Sequence, residues 1–290
     1  MSESGSIVWP SPSSPLWQFT YTLADSPDAE GIAITQARYR GILVLYKGSL
    51  PSLRVQYNGN ACGPYKDPLT YNNAQPLVGS QRVKTYTVWS GGLSGIAVES
   101  FHRIGAYKLT VRWTFWADGR ITPRLFSAGL QCNTDHRHHV YWRLDFDING
   151  ASNDTVFEYN TTTPDLGWGP GWHVKHNEIT RVKNLASHRS WAVMDMQTTR
   201  GYHLIPGSND GVADGFASRD LFLMRYHGAE DRHGQQGSAA DDGLQAYING
   251  ETLENSDVVM WYCGHLGHHA EPEHADEWHS CGPTLIPFRW

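Results

Sequence analysis

From Trp17 onward the apolar residues of this chain recur at every second position, in short runs punctuated by Gly, Pro, Asn and Asp. That period suits a strand, whose side chains alternate between two faces, and not a helix, whose apolar positions recur every three or four. Such runs fall at residues 17–22, 31–39, 41–46 and 53–57, then at 82–89, 96–101, 107–116, 120–130 and 136–148. Further runs occupy 191–196, 201–205, 220–226, 257–263 and 284–288. Asp118-Gly119 is a tight-turn signal joining two of them as a hairpin, and Asn149-Gly150 closes another. No amphipathic helical pattern exceeds about two turns, and no internal repeat is present. The expectation is an all-β chain folded as an antiparallel β-sandwich, with a single domain over 16–290. The Ser- and Pro-rich residues 1–15 read as a flexible N-terminal arm. Residues 58–79 and 161–176 read as irregular connections, and 228–242 as a mobile surface loop.

A chain of 290 residues with 40% hydrophobic and 18% charged residues has ample material for a core. Its net charge of −6, with no block of Lys or Arg, argues against nucleic acid as a partner. No apolar run approaches the about 18 residues of a membrane-crossing helix, so no membrane partner is expected. The opening Met1-Ser-Glu-Ser-Gly-Ser lacks the basic and apolar regions of a signal peptide, which makes the sequence as given cytoplasmic, or secreted if a leader was removed. Cys62, Cys132, Cys263 and Cys281 lie far apart with no CxxC pair, which excludes zinc-finger spacing. Free buried thiols are the expectation, with one or two disulfides as the alternative. The 12 Trp and 14 Tyr favour strands and would also suit a sugar-binding surface.

The run from Asp135 to Asp145 is the chemically dense one. On a strand, His136 and His138 project from the same face and offer two imidazole nitrogens to one metal ion. The bland alternative is a pair of solvated polar residues, which 15 histidines in the chain make common enough. His139 falls on the opposite face.

His136-Arg137-His138, followed by Arg143-Leu144-Asp145 and Asp147-Ile-Asn-Gly, resembles the His-x-His, Arg-Leu-Asp and Asp-Gly signature of copper amine oxidases. Asp257-Val-Val-Met-Trp261 running to His268 resembles the strand that ends in the family's third copper histidine, with His269 as a competitor. Gly201-Tyr202-His203-Leu204, Arg219-Asp220-Leu221 and the segment from Tyr46 to Tyr57 also resemble family segments in order. The resemblance covers the catalytic β-sandwich, a large twisted supersandwich, without the family's small N-terminal domains.

The resemblance implies copper on His136, His138 and His268, and a topaquinone cofactor made from Tyr107. The family's Asn before that tyrosine is Ala106 here, and the acid after it is Lys108. Tyr57 matches the tyrosine that hydrogen-bonds the quinone oxygen. Tyr65 matches a gate residue and Asp67 the catalytic base, whose task calls for a carboxyl raised by apolar surroundings. Asp145, Asp147 and Asp257, with backbone carbonyls near Phe146 and Val258, match a second structural site, usually calcium. The implied reaction oxidises a primary amine to an aldehyde, consumes dioxygen and releases ammonia and hydrogen peroxide; the implied assembly is a homodimer. Two other readings stand beside it: a quinone-less mononuclear copper enzyme using oxygen directly on a peptide or small metabolite, and a non-catalytic binding module. Residues Trp168 to Trp172 read as a packed loop anchor, or alternatively a substrate entrance. The cluster from Glu271 to Glu277 with His274 and His279 reads as a solvated turn.

Overall fold

The alternation of the sequence is realised as strands throughout the computed structural model, which describes residues 1–60, 62–161, 169–232, 242–271 and 274–290. In chain order the first are β1 (Ser2–Ser11), β2 (Ser14–Ala24), β3 (Ile32–Tyr39), β4 (Ile42–Tyr57), β5 (Tyr65–Lys66), β6 (Ala74–Gln75) and β7 (Val83–Ser90). There follow β8 (Leu93–Ile104), β9 (Tyr107–Trp116), β10 (Ile121–Ala128), β11 (His136–Phe146), β12 (Asp154–Asn160), β13 (Gly171–Lys175) and β14 (Ile179–Arg181). The last are β15 (Ser190–Asp195), β16 (Gly201–Ile205), β17 (Leu221–Arg225), β18 (Val258–His268), β19 (His279–Cys281) and β20 (Thr284–Phe288). Among the described residues the only helical pieces are single 3-10 turns.

Two sheets form. The first runs β1-β2-β3-β4-β11-β18-β17-β14, with β5 added beside β4. The second runs β13-β12-β15-β16-β20-β10-β9-β8-β6, with β19 beside β10 and β7 beside β8. Neighbours pair antiparallel. On β11 the even positions Val140, Trp142, Leu144 and Phe146 are fully buried and join the main core. Leu109, Val111, Trp113 and Phe115 do the same from β9 of the other sheet. Trp113 meets Trp142 edge to face at 5.4 Å. Gly48 on β4 is what lets the sheets approach there, because a Cβ would lie 2.9 Å from the Trp113 ring. Each such large apolar side chain contributes about 1.5–3 kcal/mol by leaving water.

The Asp118-Gly119 turn joins β9 to β10, with Gly119 at φ +91° where a side chain is disfavoured. The all-β antiparallel sandwich is therefore as the sequence implies, while several local expectations need correction. Residues 1–15 are not a loose arm: β1 pairs with β2 from Ser2 to Ser11, and Trp9 is buried. Pro10 is tolerated because β1 is an edge strand, where a missing N–H costs no ladder bond. The segments 41–46 and 53–57 are one strand, since a bulge opposite Tyr141 and Arg143 accommodates Pro51. Within the supposed loop 58–79 lie β5 and β6, and within 161–176 lies β13; residues 162–168 are outside the described set. Most of the loop expected at 228–242 is likewise outside it. Trp172 packs tilted against the Tyr159 ring and edge-on against His203 from β13 while staying half exposed, and Trp168 is not described.

The cysteine expectation is half right. Cys263 and Cys281 are free and buried, but Cys62 and Cys132 form a disulfide across 70 residues of sequence. No local signal announces a pairing of that separation. Closing a loop of that length restricts the unfolded chain, so replacing both cysteines by Ser should lower stability by about 2–4 kcal/mol. Urea unfolding of the double variant beside the parent checks this, and an unchanged midpoint would count against the link.

Candidate metal centre

The central pair of the first sheet, β11 and β18, runs in register from His136 opposite His268 to Phe146 opposite Val258. Because side chains alternate, His136, His138 and His268 share the face turned into the sandwich. All three are buried. Their ring centroids are 5.2, 5.1 and 5.1 Å apart, and one nitrogen of each lies within 4.8 Å of the others. The Thr134 carbonyl accepts from His136 Nδ1 at 3.1 Å, which leaves Nε2 with its lone pair. Ser127 Oγ stands 3.5 Å from His138 Nε2.

On each ring one nitrogen remains buried without a hydrogen-bond partner: His136 Nε2, His138 Nδ1 and His268 Nε2. Orphaned buried acceptors are costly, and three converging ones fit a cation. Burial also holds the imidazoles neutral, the form that binds metal: His268 falls to about 3 and His138 lies well below the usual histidine value. Three imidazoles suit copper. His269 is exposed and pairs with Asp135, outside this cluster.

Tyr107 enters from the opposite sheet, at the tight turn between β8 and β9. Its ring lies 4.8 Å from that of His138 and 5.4 Å from that of His136. Its hydroxyl bonds that of Tyr57, the last residue of β4. Burial, reinforced by that bond, raises the Tyr107 phenol far above its ordinary range. A cavity of about 180 Å³ is lined by Tyr65, Asp67, Ile104, Gly105, Tyr107 and Gln131. Asp67 is only 8% exposed, and burial pushes its carboxyl up to about 6. Tyr65 is half exposed at the mouth.

Several contributors were not anticipated. Gln131 accepts the Ala106 N–H at 2.8 Å and so fixes the turn that presents Tyr107. Lys108 faces away to Asp276 at 2.5 Å. His279, expected in a solvated turn, is instead on β19 with its ring 4.9 Å from that of His268. His274 does sit among acids, bonding Glu271 and Glu277, although residues 272–273 are not described. A polar residue beside a Gly-rich stretch gives no hint of such contacts; only the folded pairing does.

At the other end of the β11–β18 ladder, Asp145, Asp147 and Asp257 bring carboxylate oxygens within 4.8 Å of one another. Phe146 and Val258 are paired residues between them. Asp147 Oδ1 and Asp257 Oδ1 are buried without a partner. Burial pushes Asp145 up to about 7, against the pull of Arg143 at 3.1 Å, and pushes Asp147 up to about 7 as well. Hard oxygen donors crowded in this way fit calcium.

Three buried imidazoles facing a buried tyrosine across an all-β sandwich make a candidate metal-binding domain. The copper amine oxidase enzyme-domain profile matches residues 129–277, and the chain belongs to that family. The copper-containing amine oxidase gamma 2 of Arabidopsis thaliana is 24% identical over 170 residues, 47% of this chain and 24% of that protein. A copper-containing benzylamine oxidase from Hansenula polymorpha superposes with a TM-score of 0.72 at 16% identity, over 94% of this chain and 58% of that one. The Pichia pastoris lysyl oxidase does so at 0.67 and 16%, over 94% of this chain and 51% of that one. The chain thus spans about a quarter of the plant relative and little more than half of these solved structures.

The acid cluster yields a test with a defined sign. Asp145 and Asp147 have folded values raised above the unfolded ones, so their contribution to stability is complete below about 4 and is lost as pH rises through about 7. Calcium needs the ionised carboxylates, so it should raise the melting temperature at pH 8 and hardly at all at pH 5. Asp147→Asn should abolish the difference; an equal calcium effect at both pH values would exclude the site.

Proposed function

We propose that the chain is a copper-dependent oxidase of small primary amines, holding copper on His136, His138 and His268 and using a quinone formed from Tyr107. The observation that carries this is the Tyr107 ring packed against His136 and His138, whose unpartnered nitrogens need a cation. When present, copper and the quinone supply the electron sink for the amine and deliver the electrons to dioxygen, so the products are aldehyde, ammonia and hydrogen peroxide.

The chain's own residues then have defined tasks. Asp67, ionised above about 6 and shielded from water, takes the proton from the carbon next to the substrate nitrogen. Tyr57 holds the oxygen of residue 107 in place through its hydroxyl. The Thr134 carbonyl fixes the tautomer of His136. The cavity beside Tyr107 is small against ordinary ligand pockets, which favours a compact amine. Calcium at Asp145, Asp147 and Asp257 and a homodimeric assembly belong to the same proposal. The Cys62–Cys132 link supports an oxidising compartment in place of the cytoplasm.

A quinone-less copper oxidase is the second reading. It is favoured by Ala106, whose side of the turn is tied to Gln131, and by Lys108, which turns to Asp276. Both readings are separated by adding copper to metal-free protein in air and then phenylhydrazine. A visible band that grows, converts to an intense hydrazone absorption and is absent in Tyr107→Phe is expected. Copper binding without the band would remove the quinone and leave the second reading.

With saturating amine substrate, kcat should rise tenfold per pH unit up to about 6 and then level. Asp67→Asn should lower kcat by about 10²–10⁴ with copper content unchanged. A loss of less than tenfold would assign the base elsewhere.

A further inference from the structure

The face of β11 and β18 turned away from the three-imidazole centre carries a second convergence of ligands. His139 and His265 stand directly opposite each other in the ladder, rings perpendicular and 5.1 Å apart. Both side chains are buried, at 0% and 1% exposure. Asp214, from the connection between β16 and β17, places Oδ2 3.0 Å from His139 Nε2 and 4.0 Å from His265 Nδ1. Its other oxygen accepts the Phe216 and Ala217 N–H groups, each at 2.9 Å, so the carboxylate is held by its own backbone. One atom from each of the three residues lies within 4.8 Å of the others.

The hydrogen-bond accounting shows what is missing. His265 Nε2 lies 2.7 Å from Asp220 Oδ1, and Asp220 is itself held by the Lys183 N–H at 2.6 Å. A carboxylate beside Nε2 places the proton there and leaves the lone pair on Nδ1. The nitrogen of His139 that faces the site is Nε2, 3.0 Å from Asp214 Oδ2. His265 Nδ1, the nitrogen that faces Asp214, then remains buried with no hydrogen-bond partner. A divalent cation would take His265 Nδ1, Asp214 Oδ2 and His139 Nε2 together, displacing the proton that His139 shares with Asp214.

We propose that His139, His265 and Asp214 form a second transition-metal site, taking a divalent ion of the zinc class. Donor atoms on such an ion are about 3–3.4 Å apart, given bonds of about 2.0–2.2 Å. The 3.0 Å spacing fits, and the 4.0 Å spacing closes with a small side-chain rotation. In the absence of metal the Arg137 guanidinium, 2.9 Å from Asp214 Oδ2, supplies the positive charge. Arg137 is half exposed and free to swing outward, so it acts as a competitor. The carboxylate of Asp220 behind His265 completes the carboxylate–histidine–metal arrangement.

Occupancy would have a definite effect on the neighbouring centre. Gly211, Val212 and Ala213 wall a cleft of about 580 Å³ that also reaches His265, His136 and His268. The ion would tie that wall to the central ladder through Asp214. The site is an outer clamp on the approach to the inner one, and it does not depend on the identity of the inner chemistry.

The test uses the full chain stripped of metal, with excess calcium present to fill the acid cluster, and zinc alone as the probe. Parent protein should hold two zinc ions after gel filtration, His138→Ala one, and Asp214→Asn or His139→Gln one. Equal zinc content in parent and in both outer-site variants would overturn the proposal. Buried substitutions can fail to fold, so Arg137→Ala provides an independent measurement at an exposed residue. Loss of the competing cation should tighten the outer zinc about threefold, the scale of a surface ion pair. Unchanged or weaker zinc binding in that variant would equally reject the site.

Discussion

The antiparallel register of β11 against β18 is the constraint on which everything else here rests. His136 faces His268, His139 faces His265, and Asp145 faces Val259, one residue pair after another along the ladder. Since side chains change face at each step, a slip of one residue would send the inner imidazoles outward and bring Arg137 and His139 into the core. Such a slip is opposed by the even positions of β11, where Val140, Trp142, Leu144 and Phe146 would all leave the main core together. Core packing and the convergence of the three imidazoles therefore go with the same register, and neither needs the other as justification.

Burial is used in opposite ways on the two faces. Inside, it disfavours charge: the imidazoles stay neutral, the Tyr107 phenol keeps its proton, and the Asp67 carboxyl is pushed up to about 6. On the other face the buried Arg143 keeps its charge and is paired. Arg143 is fully buried and meets Glu230 at 2.5 Å, Asp145 at 3.1 Å and Asp231 at 3.3 Å. The Trp261 indole N–H also donates to Glu230 at 2.7 Å. A network of this kind adds little net stability over an apolar filling, yet breaking one partner leaves an expensive uncompensated charge. Its position beside Asp145 means that the acid cluster inherits a fixed geometry from its neighbours.

How much of this could be read before folding follows from range. The strand alternation, the Asp118-Gly119 hairpin and the shared face of His136 and His138 are local, and the sequence carries them directly. The partnership of His268, Tyr107, Tyr57 and Asp67 came only through resemblance to a family, because contacts across two sheets leave no spacing signal in a single chain. Trp9 illustrates a subtler failure: residues 1–15 have the composition of a tail, but alternate side chains of β1 pack on a waiting edge. His139 was legible only as a residue pointing elsewhere, and His265 carried no signal of its own. Their partner Asp214 lies on a connection whose path nothing in its composition reveals, and the Cys62–Cys132 link fails for the same reason.

That link leaves a practical mark on anyone handling the protein. Cys62 follows the strand that delivers Tyr57, and Cys132 precedes the strand that begins with His136. The two flanks of the inner centre are thus stitched together covalently, a few residues from the side chains that meet there. Reductants added by habit during purification would cut the stitch and coordinate soft metals at the same time. Two batches of one chain, differing only in buffer thiol, would then be two different molecules, and their disagreement would look like a disagreement about metal.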